Sequence, residues 1–292
     1  MTTATAALRR NESSQLTLVT EDGFPLTAHR WHAQGKLLGV VLIAPATAVR
    51  QRVYATFAAY LSEQGFEVIT WDWRGIGDSR HEAGSRDRRL TMRAWGECDL
   101  AAAIDWADRR ADGAPVAVVG HSFGGAAIGM AANAARLDRA VLITAPHGWW
   151  GHWPRSSWWK LLPLWYLLLP ATTTLFGSFP SSLLGLGENL PLGVAREAAT
   201  WCRRRDYLRH WTGHAAFRRP ILSIAFSDDP MAPREAVRAL LAEYRLAEID
   251  DRQLAPADVG QSQVGHFGFF DAGVVPQLWA DVLRFLQATD TP

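Results

Sequence analysis

Cysteine is almost missing from this chain: Cys98 and Cys202 stand far apart among 292 residues. Two such residues form neither a disulfide framework nor the paired spacing of a metal site. A reducing, cytoplasmic setting is the expectation that follows. Charge of one sign is lacking too. The net charge is +1, which offers no electrostatic argument for a nucleic-acid or anionic-membrane partner. Lysine is confined to Lys36 and Lys160, the remaining positive charge being arginine. No apolar run is long enough to span a bilayer. The greasiest, Leu161 to Pro170, is short and broken by Pro163, so no stable membrane insertion is expected. Met1 to Arg10 has no apolar centre and does not read as a signal peptide. Internal repeats and low-complexity linkers are absent from the sequence as well.

What is present is core-forming material, with 48% apolar residues. Gln15–Thr20 and Phe24–Trp31 flank an Asp22-Gly23 turn and predict a β-hairpin. Gly39–Ala44, Phe66–Trp71, Pro115–Gly120, Ala140–Thr144 and Ile221–Phe226 read as buried strands, with a weaker strand over Ala247–Leu254. Helical spacing appears over Val53–Gln64, Met92–Arg110, Ala126–Arg136, Arg234–Tyr244 and Gly273–Gln287. Strands alternating with helices predict an α/β fold with a mostly parallel sheet covered on both faces. In such sheets functional groups gather at the carboxyl ends of the strands.

The rhythm breaks between Pro146 and about His214, a segment holding eight of the fourteen tryptophans. The expected organisation is a core of residues 1–145 and 215–292 with a Trp-rich cap, 146–214, inserted between consecutive strands. Its tryptophans either pack the cap onto the core or roof an apolar pocket, and both can hold. A lipid-interface reading is disfavoured because the segment itself shows no basic amphipathic face.

The chemistry centres on Gly120-His-Ser-Phe-Gly124, between a strand and a run of small residues. A serine on so tight a turn, with glycines two before and two after, suits a nucleophile elbow at Ser122. A glycine-rich turn that only packs a helix or binds phosphate is the alternative. A serine needs a base to take its proton, and the base needs a carboxylate to orient it. Among nine histidines, His266 stands out in the glycine-flanked loop Val264-Gly-His-Phe-Gly268. His210 and His214 are poorer candidates, and His121 points away from the proton of Ser122. The carboxylate follows a late strand as Asp228 or Asp229, and Asp229 is preferred because Pro230 extends its backbone. The other acid is expected to cap the turn or the following helix. His147 and His152 are placed to line a pocket, and His121, Thr47, Trp149 and Trp150 join them as candidate substrate contacts.

The order Ser122, Asp229, His266 resembles that of the α/β-hydrolase superfamily. The likeness spans essentially the full chain, which is similar to bacterial hydrolases related to monoglyceride-lipase-like and serine-aminopeptidase-like enzymes. Asp72-Trp-Arg-Gly-Ile-Gly-Asp-Ser79, Gly120–Gly125, Asp229–Pro233 and Gly265–Gly268 carry it. The resemblance implies Ser122 as nucleophile, His266 as base, Asp229 as its orienter, and an oxyanion hole of two backbone N–H groups. One is that of Phe123. The other lies after Ala44, where this chain has Pro45 in place of a common His-Gly; proline has no N–H, so Ala46 is the candidate, supplemented by Thr47. The implied activity is ester or thioester hydrolysis of an apolar small-molecule acyl substrate, with no metal or organic cofactor. Acyl transfer or ring closure on the same serine, a peptidase-like activity with Glu188 and Glu197 holding an amine, and a non-catalytic binding protein are the alternatives.

Overall fold

The computed structural model describes residues 13–80, 84–185 and 187–288; the amino-terminal stretch read for a signal lies outside them. Eight strands form the central sheet: β1 (Ser14–Val19), β2 (Pro25–Trp31), β3 (Gly39–Ala44), β4 (Phe66–Trp71), β5 (Val116–His121), β6 (Arg139–Ile143), β9 (Ile221–Phe226) and β10 (Ile249–Leu254). Two short strands, β7 (Ser178–Phe179) and β8 (Leu190–Pro191), pair separately between β6 and β9. The sheet order is β1-β2-β4-β3-β5-β6-β9-β10. Within this sheet the first hairpin and the β2–β4 pairing are antiparallel, and every other pair is parallel. This is the mostly parallel α/β architecture expected.

The central strands show no polar alternation because both of their faces are covered. In β3, Val40 and Leu42 enter one apolar cluster with Trp71, Trp95, Ile104 and Leu142. Val41 and Ile43 enter the other with Phe57, Val119, Ile224 and Trp279. Two helices lie where the spacing places them, Ala55–Glu63 and Pro276–Gln287. A third runs from Met92 to Ala111, with one π-helical stretch at Trp95–Leu100.

The helix expected over Ala126–Arg136 is not continuous. An α-helix covers Phe123–Ala127, and isolated 3₁₀ turns follow at Ile128–Met130 and Ala134–Arg136. Gly124, Gly125 and Gly129 give this segment weak helical propensity. Tertiary packing then decides: the Gly213–Ala216 helix presses on Gly129, where a Cβ would lie 2.5 Å from the His214 amide nitrogen.

Candidate active site

Three residues forced to positive φ without being glycine mark one rim of the sheet. Ala48 (φ 62°), Ser122 (φ 53°) and Thr144 (φ 44°) follow the carboxyl ends of β3, β5 and β6. Such backbone strain persists only where surrounding structure enforces it. At Ser122 the cause is local. A Cβ on Gly120 would lie 2.6 Å from the Gly125 Cα, and one on Gly124 would collide with the Ala44 carbonyl. Only glycine at both sites lets β5 turn directly into the helix, with Ser122 at the bend (φ 53°, ψ −118°). Phe123 is the first helical residue, so its N–H has no intrahelical acceptor.

The loops after β9 and β10 bring Asp229 and His266 together. Asp229 Oδ2 lies 2.7 Å from His266 Nδ1, with both side chains buried. The other oxygen of Asp229 accepts from the N–H groups of Met231 (2.8 Å) and Ala232 (3.3 Å), which locks the carboxylate. Asp228 does a different job: its Oδ2 accepts from Val264 N (2.8 Å) and Gly265 N (3.0 Å) and so anchors the loop carrying His266. Bonding at Nδ1 leaves Nε2 as the ring nitrogen not engaged by Asp229. It is buried and has no hydrogen-bond partner among the described residues, Ser122 Oγ included. The His266 ring nevertheless lies 4.9 Å from that of His121, the residue preceding Ser122.

Two sequence assignments are corrected here. Ala46 N–H cannot serve as a free oxyanion donor, because it is buried and already donates to Tyr54 Oη at 2.9 Å. Thr47, the next along the turn, is half-buried, and its N–H has no hydrogen-bond partner among the described residues. His121 is not a substrate contact: it is fully buried beneath the rim. Its Nε2 lies 3.0 Å from the His266 carbonyl and must donate, so Nδ1 accepts from Tyr54 Oη at 2.9 Å. Burial, reinforced by His266, pushes the His121 pKa well below its ordinary value and keeps the ring neutral. Tyr54 and His121 thus join the turn after β3 to the His266 backbone by way of the residue before Ser122. The helical spacing over Val53–Gln64 includes Tyr54 in its span, but no local signal distinguished it.

The family profile described as the alpha/beta hydrolase family matches residues 23–278, most of the chain. The chain belongs to the alpha/beta hydrolase family. Solved structures similar to it share the fold at low identity. A soluble variant of monoglyceride lipase from Saccharomyces cerevisiae, in complex with a substrate analog, superposes with a TM-score of 0.69 at 13% identity, covering 100% of both chains. DcsB in complex with its substrate analogue gives 0.68 at 15%, covering 94% of this chain and 99% of that one. A highly thermostable carboxyl esterase from Bacillus coagulans, in complex with glycerol, gives 0.65 at 16%, covering 94% and 97%. No curated protein sequence matches.

In this alpha/beta hydrolase the Asp72–Ser79 motif braces the rim. Asp72 accepts from Gln51 N (2.7 Å) and Asp78 N (2.9 Å), while Arg74, buried, pairs with Asp99 at 2.6 Å. The segment between β6 and β9 lies against the same rim at three places. Trp201 stacks on Phe123 (6.4 Å between rings), and Trp153 Nε1 donates to the Pro230 carbonyl at 2.9 Å. Glu188 N–H donates to the Ala48 carbonyl at 2.8 Å, and its carboxylate pairs with Arg50 (2.5 Å) and Arg80 (3.0 Å). Glu197 accepts from Arg93 N at 2.8 Å. Both acids offered as an amine-binding patch are therefore engaged, and that support for a peptidase falls away.

His147 is buried against Tyr207 and His152, and burial pushes its pKa down to about 3. Trp149 packs on Trp150 and His152, and Trp150 meets Trp158 edge-on. These contacts build the root of the inserted segment.

Proposed function

We propose that the chain is a serine hydrolase that cleaves an ester or thioester of an apolar acyl group through an acyl-Ser122 intermediate. Ser122 Oγ attacks the carbonyl carbon as His266 Nε2 takes its proton. The oxyanion so formed is held by the N–H groups of Phe123 and Thr47. The intermediate collapses as His266 returns the proton to the departing alkoxide or thiolate. Water then attacks the acyl-enzyme, giving its proton to His266, and the carboxylic acid leaves as Ser122 is restored. Asp229 keeps Nδ1 protonated and Nε2 basic throughout. The steps balance with serine, histidine and water, so no metal or organic cofactor enters.

The single observation that carries this reading is the pairing of Asp229 with His266 Nδ1 at 2.7 Å while buried Nε2 keeps its lone pair unspent. The bond from Nε2 to Ser122 Oγ is read as one that forms on substrate binding, since such contacts are often open in free enzymes. Thr47 replaces Ala46 as the second oxyanion donor because its N–H is uncommitted. One such donor is worth about 3–4 kcal/mol of transition-state stabilisation. Residues 146–214 are read as the cap, whose apolar side chains favour acyl chains or rings over charged substrates.

A fluorophosphonate probe tests this. The wild-type chain is expected to label and Ser122→Ala to stay blank. An unlabelled wild type, or equal labelling of both, would remove covalent serine chemistry from consideration. A series of p-nitrophenyl esters from acetate to palmitate is expected to show a preferred acyl length. Flat rates across it would speak against a shaped apolar site.

A further inference from the structure

The helical run Trp158–Pro163, Leu164–Leu168 and Leu169–Phe176 is continuous and two-faced. Leu169 and Thr173 turn inward and are buried. The other face carries apolar residues into solvent: Trp159 is 70% exposed, Leu167 63%, Leu175 71% and Phe176 67%, with Pro163 and Tyr166 between them. The π-helical stretch Leu164–Leu168 slips the register by about one residue, so Trp159, Pro163, Leu167 and Leu175 fall on one side of a rod roughly 25 Å long, opposite Leu169 and Thr173. An apolar stripe of this extent on a soluble surface marks a contact with something else.

Charge identifies the occupant. Residues 146–214 contain seven Lys or Arg and three Asp or Glu, a net +4, so the rest of the chain is negative within its total of +1. Cations lie beside the stripe: Lys160 is 5.1 Å from the Trp159 ring, Arg203 5.3 Å from that of Tyr166, and Arg155 5.7 Å from that of Trp158. A twofold contact with a second copy would set this positive patch against itself. A bilayer bearing anionic headgroups matches both features, taking the apolar side chains at its interface and the cations at the headgroups. Trp and Tyr are the residues favoured at that depth.

We propose that the exposed face of the Trp158–Phe176 helix docks this protein on an anionic lipid surface. Docking is peripheral: among the described residues no helix is long and apolar enough to cross a membrane. Sequence reading finds no basic amphipathic face because Arg203 belongs to the end of the neighbouring Leu192–Cys202 helix, and only folding brings it to the stripe. The proposal is independent of the chemistry assigned to Ser122.

The test is co-sedimentation of the full chain with phosphatidylcholine vesicles, with and without phosphatidylglycerol. Binding is expected to the mixed vesicles and to fall with added salt. The double variant Leu167→Glu, Leu175→Glu should lower it at least about tenfold, and Arg155→Glu with Lys160→Glu roughly tenfold on anionic vesicles only. Unchanged melting temperatures exclude unfolding as the cause, because every substituted side chain is exposed. A wild type that stays in the supernatant overturns the proposal, as does equal binding by the leucine variant. A dimer in light scattering that this variant disperses would assign the stripe to a second copy instead and also overturn it.

Discussion

Tyr54 shows how much of the candidate site rests on a side chain that touches no substrate. Its hydroxyl accepts from Ala46 N–H and lies 2.9 Å from His121 Nδ1, so one oxygen fixes both the turn after β3 and the tautomer of His121. Tyr54→Phe leaves the Ala46 N–H buried without an acceptor, which costs about 1–3 kcal/mol of stability. The turn carrying Thr47 loosens at the same time. We expect kcat to fall about tenfold with KM little changed, because the lost interaction forms only with the oxyanion. A KM rise at constant kcat would place Tyr54 in substrate binding instead. Ser122 and His266 were legible in the sequence because each carries its own glycines. Tyr54 was not, since a buried hydroxyl and a buried ring look alike in an apolar pattern. Neither was the division of labour between Asp228 and Asp229: adjacent acids differ only in which loop each one meets.

Among the elements, the inserted segment and the turn after β3 act on each other through Glu188. Its N–H holds the Ala48 carbonyl, one residue beyond Thr47, and its carboxylate holds Arg50 and Arg80. Arg80 is half exposed and Arg50 more than a third, so the ion pairs themselves add little to stability. Their effect is to fix the turn. Glu188→Ala is expected to lower kcat/KM of ester cleavage about tenfold while the melting temperature shifts only slightly, and Glu188→Gln to recover part of the rate. Equal rates for wild type and Glu188→Ala would show that the turn holds its shape without the insert. The elements themselves were largely legible: the hairpin, the buried strands and the flanking helices form where period and turn residues place them. The broken helix after Ser122 was not, because its small residues suit a helix until the Gly213–Ala216 segment occupies the space beside Gly129.

At the scale of the whole molecule, buried neutral histidines set the response to acid. Burial lowers His147 from 6.5 to about 3 and His214 from 6.5 to about 4, and His121 is shifted in the same direction. Between these values the unfolded chain binds protons that the folded chain refuses. The stability they contribute is therefore complete above pH 6.5 and is lost as the pH falls towards 4, by about 1.4 kcal/mol per pH unit for each histidine. Urea midpoints measured across this range should drop steeply, and His214→Gln should flatten the slope. A midpoint independent of pH down to about 4 would mean that these rings protonate in place.

Composition and periodicity alone determined a parallel sheet covered on both faces, a tryptophan-rich insertion, and a serine held on a glycine turn. These follow from neighbours along the chain: strand and helix periods, and the room a missing Cβ leaves. Tertiary structure decided which acid meets His266, which amide after β3 stays uncommitted, and which cations flank the exposed stripe. Each of those is a contact between segments distant in sequence, set by how the loops at one rim of the sheet pack together. No local pattern records that packing.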